Sequence, residues 1–301
     1  MGPLSIAAIG AIVVAFLYAF ARKALLSLTL AVAAIVVYAL GEVSFAIAFQ
    51  TLDPFYPTVT ADLALVSIAG ALSPPWTWIT FQFVHGNLVH LLLNLMGFVF
   101  IAPIVEERIG SRRWAILFFG GGAFGAAVFV LLHVDEFVAL VGASAGLLAI
   151  FGGYGRLYPR ERVRLFLPLP GLPAIPAIYF VVGFLLLEIL LGMQPGRGVA
   201  WEAHVGGIVF GFVSAPALMR LPLGRGGAKP RLARVEGLRA LATTPELRAI
   251  FAEAERADIS EIRDAWVDKF VAAARCPRCG GPLRRGLGGL SSECGWKAPT
   301  G

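Results

Sequence analysis

The chain is 301 residues long, with 58% hydrophobic and only 15% charged residues, and its mean hydropathy is +0.79. A soluble domain has no interior large enough to hide that much apolar surface, so lipid must be part of the solvent. The net charge of +6 could suggest nucleic acid. However, the basic residues cluster in short loops between apolar runs and in the C-terminal tail, so a lipid bilayer is expected as partner and nucleic acid is not.

Seven apolar segments reach or approach the roughly 17–25 residues a membrane span needs. They lie near residues 3–21, 24–49, 86–105, 113–133, 142–157, 173–191 and 200–219, the fifth being the shortest. No basic stretch precedes the first and no small-residue cleavage site follows it, so it is expected to be a retained helix. The apolar run 61–72 is too short to span and reads as an interfacial or re-entrant piece of the 50–84 loop.

Charge sets the orientation. Arg22 and Lys23 follow the first span, Arg108, Arg112 and Arg113 the third, Arg156, Arg160, Arg162 and Arg164 the fifth, and Arg220 and Arg225 the seventh. The alternate loops 50–84 and 134–141 have no basic residue, and 192–199 has only Arg197. The basic side is expected to face the cytoplasm, with the N-terminus outside, the tail inside and the plasma membrane as the location. The fold class expected is all-α: a polytopic membrane helical bundle with a small cytosolic C-terminal module. Its divisions are an additional N-terminal helix over 1–22, a membrane core over 23–222 and a tail over 223–301.

The tail changes character. Gly224, Gly226, Gly227 and Pro230 read as a linker. Thr244 followed by Pro245 looks like an N-cap and first helical residue. Asp258 and Glu261 have capping-box spacing. Ile262, Trp266, Val267 and Phe270 repeat at helical spacing and are expected to pack inside the module.

Polar residues inside spans are expensive and demand a reason. The third span opens on His85, His90 and Asn94, the fifth on Gly142, Ser144 and Gly146, and the seventh carries Glu202, His204 and Gly207. All three spans run in the same direction, which puts these residues at similar depth. His90 and Asn94, four apart, share a helix face, whereas His85 and His90 are expected to diverge by roughly 140°, which disfavours them as a metal pair. A serine hydroxyl attacks only when a base takes its proton, and histidine suits that task near neutral pH, so Ser144 and His204 are the candidate pair. The Ser144 N–H and the His90 and Asn94 side chains are candidate oxyanion donors. Small faces at Gly142 and Gly146, and at Ala203, Gly207 and Gly211, are expected to let the two helices approach. His133, Asp135 and Glu136 read as a solvated loop, and Glu202 as a helix-end hydrogen-bonding residue.

With these motifs together, over roughly residues 75–220, the sequence resembles the rhomboid family of intramembrane serine proteases. The resemblance rests on His85, His90 and Asn94, on the run Glu106, Glu107, Arg108, Ile109, Gly110 and Ser111, on Gly142 and Ser144, and on Ala203, His204 and Gly207. It implies a six-helix core from the second to the seventh span plus one added helix. It also implies an endopeptidase with Ser144 as nucleophile, His204 as general base, and His90 and Asn94 on the oxyanion side. His85 would then have a structural role, and Glu106 and Arg108 would be a polar pair stabilising the end of the third span. No cofactor is implied for the chemistry, and the substrates implied are transmembrane proteins. Three positions depart from the family's pattern: Thr77 where Arg often follows Trp76, Ala145 where Gly is usual, and Leu148 where a Tyr often packs on the catalytic His. The alternative is a catalytically inactive rhomboid-fold protein that binds membrane helices. A channel would instead require several charges buried mid-span.

Cys276, Cys279 and Cys294, all in the tail, look like remnants of a zinc ribbon, with Ser291 where a fourth Cys would stand. A structural zinc site normally needs four ligands, so an incomplete site is expected, with zinc a candidate and a decayed ribbon the preferred reading.

Overall fold

The computed structural model describes residues 1–53, 56–67, 73–163, 174–192, 200–221, 223, 235–257, 260–286 and 289–297. Arg164, Arg197, Arg225, the 224–230 linker, Asp258 and the 68–72 end of the short apolar run lie outside the described residues. The chain forms two compact units, one of Met1–Pro159 with Ile178–Gly226, the other of Arg160–Ala177 with Gly227–Gly301.

The first unit is a bundle of apolar helices, and the chain is an integral membrane protein. In order it contains α1 (Pro3–Arg22), α2 (Leu26–Thr51), α3 (Val59–Leu63), β1 (Leu65–Ser67), α4 (Thr77–Thr80), α5 (Leu88–Met96) and α6 (Ala102–Ile109). There follow α7 (Ser111–Leu132), β2 (Val138–Leu140), α8 (Ser144–Leu157), α9 (Ala177–Gly192) and α10 (Trp201–Arg220). A π turn over Gly97–Ile101 joins α5 to α6 into one span, Leu88–Ile109. Pro103 lies just beyond that turn and has no N–H for the carbonyl four residues back, a recognised cause of such widening.

Each of the seven expected spans coincides with a helix, but two are short. Among the described residues, α1, α2, the α5–α6 span, α7 and α10 are long and apolar enough to cross a membrane. By contrast α8 has 14 residues and α9 has 16. The α8 helix starts at residue 144 because the preceding segment is extended: β2 pairs antiparallel with β1, Leu140 opposite Leu65. That pairing satisfies backbone groups that lipid could not, and it gives residues 65–67 of the short apolar run their partner.

Contacts at the helix ends fix the directions of α2, the α5–α6 span, α7 and α10. The Glu106 carboxylate near the end of α6 accepts hydrogen bonds from the Leu26 and Ser27 N–H groups at the start of α2, both at 2.7 Å. At that same end, buried Arg113 at the start of α7 donates to the carbonyls of Ile109 (3.2 Å), Leu218 (3.3 Å) and Leu221 (2.8 Å). A cation closing two helix C-termini suits their dipoles. At the opposite end, His133 after α7 lies 3.5 Å from Glu202 at the start of α10. The starts of α5, α8 and α10 therefore meet at one end of the bundle, and the basic residues Arg108, Arg112, Arg113 and Arg220 gather at the other.

The second unit is small and mixed. Strands β3 (Arg162–Val163) and β4 (Ile175–Pro176) pair, and β5 (Leu283–Gly286) and β6 (Gly289–Ser292) form a hairpin. A 3-10 helix over Val235–Leu241 precedes α11 (Pro245–Arg256) and α12 (Ser260–Ala273). Thr244 caps α11 as expected, its hydroxyl accepting from the Leu247 N–H at 3.2 Å. Val267 and Phe270 from the apolar stripe are buried with Ile250, Phe251, Leu283 and Leu290, and Trp266 packs against them.

Candidate active site

The start of α8 is built by a turn that only glycine makes easily. Gly142 has φ +113°, a region costly for a residue with a Cβ. Its N–H donates to the Phe81 carbonyl at 2.9 Å, tying the end of the extended segment to the element before α5. Ser144 is then the first helical residue. Its N–H has no carbonyl four residues back within the helix and points out of the positive end of the dipole.

His204 lies one turn into α10, its own N–H bonded to the Ala200 carbonyl at 3.3 Å. The two helices touch backbone to backbone. A Cβ on Gly207 would run into the Ala145 carbonyl, one on Gly211 into that of Ala149, and one on Gly152 into that of Ile208. This close approach brings Ser144 Oγ and His204 Nε2 to 2.7 Å, a hydrogen bond between helices sixty residues apart. Both residues are half-buried.

The small face on α10 is the one expected, but that on α8 is not. A Cβ on Gly146 would lie 2.7 Å from Gln82 Oε1 and from the Phe118 carbonyl, so Gly146 faces away from α10. Ala145, Ala149 and Gly152 form the contact instead, because α8 begins at residue 144 and so sets its own phase. The methyl of Ala145 is buried among Leu65, Phe81, Ala126 and Ala203. Leu148 is buried with Ile208 and Val181, an apolar seam one turn below His204.

The His90 ring sits over Gly142: a Cβ there would be 2.6 Å from His90 Nε2 and 3.7 Å from Ser144 Oγ. Asn94 is buried, and its amide donates to the His90 carbonyl at 2.9 Å. The His85 and His90 rings do not diverge; their centroids are 5.1 Å apart, edge to face. The reason is that α5 starts only at Leu88, capped by the Asn87 side chain accepting from the His90 N–H at 2.9 Å. His85 therefore precedes the helix, buried, with Nδ1 3.2 Å from the Phe83 carbonyl.

Glu106 and Arg108 lie at the other end of the bundle, away from this site. Glu106 caps α2, and Arg108 lies over the Tyr154 and Tyr158 rings at 5.3 and 5.0 Å. Glu106 follows His90 by sixteen residues, about 24 Å along a helix. Trp76 anchors its loop through its indole N–H to the Asp62 carbonyl at 3.0 Å, and Thr77 is bonded to the Pro74 carbonyl at 2.6 Å. His133 is more than a solvated loop residue, since it bridges Glu136 at 2.9 Å and Glu202 at 3.5 Å.

Gln82 went unread in the sequence. It is fully buried against Gly122 and Gly146, and neither amide atom has a hydrogen-bond partner among the described residues. An uncharged Gln beside a histidine-rich run gives no signal of this by itself. Asn87 did carry a signal, since Asn is among the strongest N-caps.

In the tail the three cysteines are free thiols whose sulfurs all lie within 4.8 Å of one another. The hydroxyl that joins them belongs to Ser292, 3.3 Å from Cys279 Sγ, and not to Ser291. Ser291 faces Arg284 in the hairpin register, and alternation along the strand turns Ser292 to the cysteine side.

Residues 73–221 match the family model of the Rhomboid domain. The chain is similar to Rhomboid protease GlpG of Yersinia enterocolitica, 29% identical over 141 residues that cover 46% of this chain and 47% of the relative. It is likewise similar to Rhomboid protease GlpG of Yersinia pestis, at 28% over the same shares of each chain. The match thus spans about half the length of these relatives.

Proposed function

Because the chain belongs to the rhomboid family, we propose that it is an intramembrane serine endopeptidase that cuts transmembrane substrate proteins with a Ser144–His204 dyad. The observation that carries this reading is the 2.7 Å contact between Ser144 Oγ and His204 Nε2.

In the reaction, Ser144 Oγ attacks the scissile carbonyl carbon as His204 Nε2 takes the hydroxyl proton. The carbonyl oxygen becomes an oxyanion in front of the Ser144 N–H, with the His90 and Asn94 side chains as further donors. Collapse of this intermediate breaks the C–N bond, and the leaving amine takes the proton from His204. Water then attacks the acyl ester on Ser144 after giving a proton to His204. That proton returns to Oγ as the acid leaves. Every step is proton transfer and acyl transfer, and none draws on a cofactor.

Depth follows from length. The 14 residues of α8 measure about 21 Å against a hydrocarbon core of about 30 Å. With the last turn of α8, which carries Arg156, set at the basic boundary, Ser144 would stand roughly 9 Å short of the opposite one. A peptide bond there belongs to a membrane-spanning segment, and a regular helix shields its carbonyl. Substrates should therefore be helices that unwind locally near small or helix-breaking residues.

A fluorophosphonate probe tests the dyad. Detergent-solubilised wild type should label, while Ser144→Ala and His204→Ala should not. Equal labelling of all three would remove the enzyme reading and leave a rhomboid-fold protein that binds membrane helices without cutting them.

A further inference from the structure

Two loops in the second unit make related turns, the second one residue shorter than the first. In the first, the Cys276 N–H donates to the Gly281 carbonyl and the Gly280 N–H to the Cys276 carbonyl, each at 2.9 Å. In the second, the Ser292 N–H donates to the Trp296 carbonyl at 2.9 Å and the Gly295 N–H to the Ser292 carbonyl at 3.0 Å. Both turns close on a glycine with positive φ, Gly280 at +70° and Gly295 at +81°. The β5–β6 hairpin and the bridges Arg275–Pro282 and Ser291–Lys297 hold the loops side by side. Ser292 thus occupies in the second turn the place Cys276 has in the first, and Cys294 takes the place of Cys279 with one residue fewer between.

We propose that these two turns form a zinc site, with Cys276, Cys279 and Cys294 as thiolate ligands and the Ser292 hydroxyl in the fourth position. Spacing favours a metal over a disulfide. With zinc–sulfur bonds of about 2.3 Å and a zinc–oxygen bond of about 2.1 Å, a tetrahedron has S···S edges of about 3.8 Å and S···O edges of about 3.6 Å. Cys276 Sγ and Cys294 Sγ are 3.7 Å apart, and Ser292 Oγ is 3.3 Å from Cys279 Sγ and 3.7 Å from Cys294 Sγ. A disulfide would need about 2.05 Å. The hairpin has four residues in each strand, too few to be stable alone. Leu283 and Leu290 tie it to the α11–α12 core, and a metal would join its two turns as well. Three thiolates exceed the charge of a divalent ion by one, and in sequence the ligands are flanked by three basic residues, Arg275, Arg278 and Lys297, against one acidic residue, Glu293, which pairs with Arg284. A neutral hydroxyl is a weaker donor than a thiolate, so this position exchanges more readily than a fourth cysteine would.

The test uses the full chain, purified reduced in detergent. Elemental analysis should find roughly one zinc per chain, and cobalt substitution should give thiolate-to-metal charge-transfer bands with the visible bands of a tetrahedral ion. Cys279→Ala, which offers no donor atom, should lose both signals. Ser292→Cys should lower the zinc Kd at least tenfold, while Ser292→Ala should keep the metal with a Kd raised by up to about tenfold. Absence of zinc together with a featureless cobalt titration overturns the site. So does a Cys276–Cys294 disulfide trapped by alkylation in freshly lysed cells. An unchanged Kd in Ser292→Cys overturns the fourth ligand.

Discussion

At Gly142 one missing Cβ serves two needs. It permits φ +113°, and it leaves room for the His90 ring, whose Nε2 would be 2.6 Å from an added methyl. Gly142→Ala should therefore strain the turn by about 1–3 kcal/mol and push His90 from the nucleophile. The expected outcome is a fall in fluorophosphonate labelling rate of at least about tenfold, with the helical circular dichroism signal unchanged. Unchanged labelling would mean that neither the turn nor the His90 position matters to Ser144. The residues at this site were legible in sequence because each is a polar group in an apolar run, where its presence needs a cause. The neighbours that hold them were not. Gln82 is an ordinary loop residue until α7 and α8 close over it. Ser292 and Ser291 are interchangeable as letters, and only strand alternation separates them.

At the scale of the helix, polar residues at the basic end act as caps across the bundle. Glu106 satisfies two N–H groups of α2, eighty residues away, and Arg113 satisfies three carbonyls. Sequence could place both at span ends but could not name their partners, since neither spacing nor charge encodes a contact that long-range. Removing the carboxylate leaves buried helix donors without acceptors. Glu106→Ala should cost about 2–3 kcal/mol of stability, and Glu106→Gln about half of that, because one acceptor oxygen remains. Denaturant unfolding in detergent measures both. Fluorophosphonate labelling below the transition should stay near that of wild type, because Glu106 belongs to the end of the bundle away from Ser144. Helix phase was the other quantity beyond reach: the alternation of basic and non-basic loops argued for the short fifth span, but the β1–β2 pairing decides where α8 starts and hence which side Gly146 faces.

For the molecule as a whole, one end of the bundle is basic and the other holds the serine. If the basic end faces the cytoplasm, as the distribution of Arg and Lys argues, then the loop between α7 and β2 faces outward and the three native cysteines lie inside. Those cysteines are the only ones in the chain, so they report on the tail without any change to the protein. Intact cells treated with a membrane-impermeant maleimide should leave the wild type unlabelled, and permeabilisation with a chelator should expose the thiols. Asp135→Cys, on the exposed turn after α7, should label in intact cells even with all three native cysteines replaced by serine. Labelling of the wild type in intact cells, with Asp135→Cys protected, would invert the molecule. Ser144 would then stand nearer the cytoplasmic surface, and the substrates would be segments cut from within.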